Sequence, residues 1–179
     1  DAGVDEQFTT DFLVSNAMGQ PFSTDVSEQL DKVPGVAETS PAQTVAMKLG
    51  EDMIWGSAVD PKALAEIFNL TYSSGVAPEA DKTVAFSETD AGRLKVDVGD
   101  TVALNFVDSY VVGQAMIPFS TIEAAGLKRV DSSVAINMTP GSDSKEVAAA
   151  LEAATKDNPL VTVQTKAEFA EAQRAQVNT

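Results

Sequence analysis

The sequence predicts an α+β protein: two βαβ units, one from each end of the chain, with an inserted, mainly β middle region. Three observations carry this reading. Apolar residues alternate with period two at Phe12/Val14, at Val102/Leu104/Phe106 and at Val134/Ile136/Met138. Behind capping residues, apolar side chains recur at i, i+4 and i+7, as in Val26/Leu30/Val33 and Val147/Leu151/Ala154. The order strand, turn, capped helix, short loop, strand occurs near both ends.

Taken in order, "TTDFLVSNAM" (Thr9 to Met18) reads as the first strand, ended by Gly19-Gln20-Pro21. In "STDVSEQLDKV" Ser23 or Thr24 caps a helix, Asp25 and Glu28 complement its first turn, and Pro34-Gly35 stops it. Val36 to Leu49 and Met53 to Val59 read as extended, with "TVAMKLGEDMIW" as a hairpin turning at Gly50-Glu51. Asp60-Pro61 opens the next helix, because proline at the first helical position sacrifices no hydrogen bond; Leu64, Ile67 and Phe68 form its apolar stripe. "KTVAFSE" alternates as a strand and "ETDAGRL" forms a short helix. After a Gly99-Asp100 turn, Val102 to Phe106 is a strand with one buried face, expected to pair with Tyr110 to Ile117 across Asp108-Ser109. "SSVAINMTPG" is a strand turning at Pro140-Gly141, "SDSKEVAAALEAATKDN" a helix and "PLVTVQT" a strand. The two D-x-x-E pairs, Asp25/Glu28 and Asp143/Glu146, sit at different offsets to their apolar stripes, so the two ends echo each other in architecture and not as a sequence repeat. Residues of roughly 60 to 130 then form a second lobe inserted into a split lobe made from both chain ends.

At 179 residues and 44% hydrophobic, the chain can bury a sizeable core. Its 27 acidic and 12 basic residues give a formal charge of −15, which argues against nucleic acid and anionic lipid as partners. A cationic or neutral ligand, a protein partner, or simply a well-solvated surface remains. The absence of histidine and cysteine excludes Ser-His-Asp and Cys-His nucleophilic sites, ordinary zinc sites, Fe–S clusters and disulfides. The chain begins with Asp1, lacks a signal peptide pattern and has no apolar run long enough to span a bilayer, so it reads as a piece of something longer or as a processed protein.

Carboxylate pairs at Asp5/Glu6, Glu51/Asp52 and Asp97/Asp100 are what an acidic chain produces by chance, and a paired-carboxylate hydrolase is the third-ranked reading. No D-x-[DN]-x-[DN]-G calcium loop is present. Ser144 and Lys145 are adjacent on a helix and point to different sides, so they cannot form a dyad. The sequons at Asn69 and Asn137 are short enough to arise by accident. Met53 and the single tryptophan, Trp55, are either the buried face of a strand or an exposed ridge for a partner; the buried face is expected. No catalytic, cofactor-binding or metal-ligating residue is assigned.

Read together, "LDKVPGVAETSP", "GSAVDPKALAEIFNL", "VAFSETDAGRLKVDVGDTVAL", "YVVGQA", "NMTPGSDSKEVAAALEAA" and "VTVQTKAEFAEAQ" resemble the extracytoplasmic core domain of ABC transporter permeases of the MacB/FtsX type over nearly the whole chain. The resemblance implies a domain inserted between the first two transmembrane helices of a permease. It implies a discontinuous porter-like lobe (8–59 and 131–168), an inserted sabre-like lobe (60–130) and a helix (169–179) leading to the membrane. It also implies no catalysis and no cofactor here: a separate cytosolic ATPase subunit drives a permease dimer, whose outer domains transmit movement to export or signalling. The expected partners are that ATPase, a second permease copy, and an extracytoplasmic protein or a lipid or peptide substrate. The chain is expected to be shorter than the MacB domain, as suits a simpler two-component exporter. The rival reading is a stand-alone surface or secreted binding module.

Overall fold

The computed structural model describes residues 10–68, 70–107 and 114–177. Packing divides them into two compact units. Unit 1 comprises residues 10–41, 63–68 and 130–177, and unit 2 comprises 42–62, 70–107 and 114–129.

Unit 1 contains β1 (Phe12–Asn16), α1 (Thr24–Leu30), the start of β2 (Val36–Leu49), β7 (Ser133–Met138), α5 (Ser144–Ala154), β8 (Val161–Thr165) and α6 (Lys166–Val177). Its strand order is β2-β7-β1-β8. β1 runs antiparallel to both β7 and β8, in registers such as Val14↔Val134 and Val14↔Val163. β7 and β8 are therefore parallel to each other with β1 between them, and β7 in turn lies between β1 and β2. The two βαβ units are interleaved: each inserts a strand into the other.

Helix starts follow the sequence signals. The Ser23 hydroxyl accepts from the Asp25 N–H, and Asp143 Oδ1 accepts from the Lys145 and Glu146 N–H groups, so both helices have side-chain caps. α1 ends at Leu30, earlier than expected. From there Lys32, Val33 and Val36 each donate to the carbonyl three residues back, and these turns still carry Val33 onto the core. The Pro34 ring disfavours helical conformation at Val33, which explains the early stop. Gly35 follows with φ 91°, and a Cβ there would fall 2.6 Å from Val147 Cγ2 of α5. Its carbonyl accepts from the Thr139 N–H at 2.8 Å. The Pro-Gly turn is therefore the place where α5 comes close to backbone. Phe12, Val14, Val26, Leu30, Val134, Ile136, Val147 and Leu151 fill one core between sheet and helices.

Unit 2 contains the rest of β2, β3 (Asp52–Val59), β4 (Ala85–Phe86), α3 (Glu88–Leu94), β5 (Leu104–Val107), β6 (Gln114–Pro118) and α4 (Phe119–Ala124). α2 (Pro61–Ile67) opens with its N-terminal turn closed by Asp60, whose Oδ1 accepts from the Lys62 N–H at 2.9 Å. β2 and β3 form the expected hairpin about Gly50-Glu51, from Leu49↔Asp52 to Ala42↔Val59. The strand order is β4-β6-β3-β2, with β5 also on β2.

Three expectations need correction. β5 does not pair with β6. β6 runs parallel to β3 and has β4 antiparallel on its other side, so both its edges are taken, and β5 pairs with β2 from Ala46↔Val107 to Leu49↔Leu104. The expected turn at Asp108-Ser109 and residues 110–113 lie outside the described residues. The boundary between units does not fall after residue 59: residues 42–59 group with unit 2, because that stretch of the hairpin supplies Val45, Met47, Ile54 and Ala58 to the core with Ala115, Ile117 and Ile122. Trp55 is not in the core. Ile54 and Ala58 are fully buried, and the alternation of a strand sends Trp55 to the opposite face, where it is 39% exposed beside its cross-strand neighbour Ala46.

Candidate functional site

The carboxylates singled out in the sequence are not gathered at a cleft. Glu51, almost fully exposed, reaches Lys48 at 3.9 Å. Asp52 accepts from Arg93 Nη1 at 2.7 Å, and Arg93 also bonds Asp90, which accepts from the Ser87 hydroxyl at the start of α3. This network ties α3 to the hairpin end and leaves Arg93 occupied. Asp100 Oδ2 accepts from the Asp97 N–H, and the Asp100 N–H donates to the Asp97 carbonyl, so this pair closes a turn. Asp5 and Glu6 lie outside the described residues. Ser144 and Lys145 are the first residues of α5, as expected. Asn69 lies outside the described residues, and Asn137 sits within β7 with its side-chain oxygen buried. Among the described residues no group of three acidic, histidine or cysteine side chains is arranged to hold a metal.

One polar feature escaped the sequence reading. Asp131 is fully buried and accepts from the Ser27 hydroxyl of α1, while its backbone exchanges both hydrogen bonds with Phe22 at 2.8 and 2.9 Å. A buried carboxylate is held by donors, and here they pin the start of β7 to the helix opposite. The sequence signal was slight: an aspartate after "LKRV", with nothing to mark it as internal.

A concavity lies in unit 1, between β1, β8 and α6. About 600 Å³ in volume, it is lined by Ser15, Asn16, Thr162, Gln164, Glu168 and Phe169. Most of its polar groups already serve the fold. Thr162 Oγ1 donates to the Ser15 carbonyl, Asn16 Oδ1 accepts from the Met18 N–H, and Glu168 and Thr165 cap each other across the start of α6. The groove holds a helix in place and has no nucleophile paired with a base.

No protein-family model and no curated protein matches the sequence. Solved structures do. The periplasmic region of MacB from Actinobacillus actinomycetemcomitans superposes with a TM-score of 0.68 over 96% of this chain and 96% of that one, at 12% identity. The chain has the fold of MacB-type extracytoplasmic domains. The extracellular domain of the noncanonic ABC-type transporter YknZ from Gram-positive bacteria matches with a TM-score of 0.54 over 87% of this chain and 99% of that one, at 11% identity. The mixed α+β class and the architecture expected from the ordered motifs agree with this MacB-type fold. The expected shortening relative to MacB does not hold, since the match spans 96% of both chains.

Proposed function

We propose that this chain is the extracytoplasmic domain of an ABC transporter permease subunit of MacB/FtsX type, and that it transmits ATP-driven movement of the membrane part to export or signalling outside the cytoplasmic membrane. The observation that carries the proposal is the match to the MacB periplasmic region across nearly the full length of both chains. Unit 1 takes the porter-like role and unit 2 the sabre-like role, in place of the expected 8–59/131–168 and 60–130 division. The first described strand, β1, and the last described helix, α6, pack against each other in unit 1. A domain inserted between two membrane helices needs that arrangement. Among the described residues no helix is long and apolar enough to cross a membrane. The domain carries no catalysis; its partners are a cytosolic ATPase, a second permease copy, and an extracytoplasmic protein or a lipid or peptide substrate.

The test begins with the parent gene, which should encode apolar spans on both sides of this domain and lie beside a Walker-type ATPase gene. In membranes, cysteines placed on exposed positions of α6 in two permease copies should crosslink in an ATP-dependent pattern that is lost when the ATPase's Walker lysine is replaced. A parent with a lipobox or one lone anchor, and crosslinking indifferent to ATP, would overturn the proposal and favour a stand-alone binding module.

A further inference from the structure

Unit 2 exposes two valines on neighbouring loops. Val76 is 85% exposed and Val98 69% exposed, whereas the buried core of the same unit is apolar and well filled. The two loops touch. Gly75 has φ 78°, and a Cβ there would lie 3.3 Å from Val98 Cγ2, so glycine is what lets the first loop approach the second. The second tip is a closed turn: the paired Asp97–Asp100 hydrogen bonds described above hold it, Gly99 takes φ 97°, and Val98 is left pointing outward at its apex. Tyr72, also exposed, adds a ring from the first loop.

Carboxylates lie beside this apolar tip. Asp97 and Asp100 flank Val98, and Glu79 lies close enough to Tyr72 for its charge to help hold the phenol pKa above 10.0, after the larger effect of burial. Asp81 is exposed further along the same loop, next to Lys82, in a chain of net charge −15. Apolar side chains held out into water, one of them by a hydrogen-bonded turn, with acids beside them, complement one kind of surface. A vesicle bearing anionic lipid would be repelled, and a second copy of this acidic tip would be too.

We propose that the Val76 and Val98 loop tips form a docking surface for a protein segment that presents apolar side chains flanked by lysine or arginine. The valines supply the apolar contact, and Glu79, Asp97 and Asp100 supply the charge selection. The inference does not depend on the transporter reading, because it concerns a surface of the isolated chain.

The test titrates the 179-residue chain with a synthetic leucine–lysine peptide and, separately, a leucine–glutamate peptide of the same length, following amide shifts by NMR. The lysine peptide should bind, shift residues of both loops and weaken with added salt, and the glutamate peptide should not bind. V76S/V98S should weaken binding about tenfold or more, and E79Q/D97N about threefold. E152Q/E171Q, on exposed helix positions of unit 1, should leave it unchanged. Because Val76 and Val98 are exposed, V76S/V98S should keep its thermal midpoint, and a melt checks this. Equal binding of both peptides, equal binding by V76S/V98S, or no binding of the lysine peptide would overturn the proposal. Valine-dependent binding to anionic vesicles, or valine-dependent dimerisation in sedimentation, would also overturn it by assigning the tips to another occupant.

Discussion

Single residues show where local rules are obeyed and what breaking them costs. Gly35 combines a positive φ with a close approach to Val147, so alanine there meets both backbone strain and a side-chain clash. Gly35→Ala should destabilise the fold by about 1–3 kcal/mol, read as a lower urea midpoint at unchanged slope. Tyr72 makes a prediction about pH. Its phenol, raised by burial and then by Glu79, keeps its proton in the folded state at pH values where the unfolded chain, with a value of 10.0, has lost it. The stabilisation this gives is complete below that pH and declines as pH rises through the raised folded value. Tyrosinate absorbance in a Tyr110→Phe background should titrate above the ordinary range, and Glu79→Gln should move the titration part of the way back. Ser23 and Asp60 were legible as caps from sequence, because a cap needs only a short polar side chain immediately before a helix. Asp131 was not legible: its burial and its Ser27 partner come from a residue 104 positions away.

Elements were legible when their signal was local. The start of α6 carries a capping box, Thr165-Lys-Ala-Glu168, with the Glu168 carboxylate accepting from the Thr165 N–H and the Thr165 hydroxyl accepting from the Glu168 N–H; the pattern is visible in the sequence although the reading passed over it. β3 shows the opposite case. In "DMIWGSAV" both Ile54 and Trp55 are large and apolar, and alternation says only that they face opposite ways. The choice is made by register: Ile54 lies opposite buried Met47, and Trp55 opposite Ala46. Ile54→Ala should therefore cost about 2–5 kcal/mol by leaving a cavity, whereas Trp55→Ser should cost less, because part of the indole already faces water. Fluorescence of the single tryptophan should be readily quenched by acrylamide in the folded state, in contrast to a buried indole.

At the scale of the molecule, charge dominates what can be tested directly. A chain with 27 acidic and 12 basic residues repels itself most when compact, and pairs such as Arg93–Asp52 relieve this only in part. Raising salt from about 0.01 M to about 0.15 M, where screening lengths shorten from about 30 to about 8 Å, should raise the thermal midpoint. The sequence by itself determined most of the strands and helices, though not α4, where most helices begin, that the apolar faces repeat at both chain ends, and that histidine and cysteine chemistry play no part. Those features depend on residues within a turn or two of one another. Only the tertiary structure decided that each βαβ unit takes a strand of the other between its own, that β6 joins β3 and leaves β5 to β2, that residues 42–59 pack with unit 2, and that Trp55 faces outward. The physical reason is common to all four: a strand has two edges and two faces of similar local chemistry, and which neighbour takes each is settled by long-range packing among many segments at once.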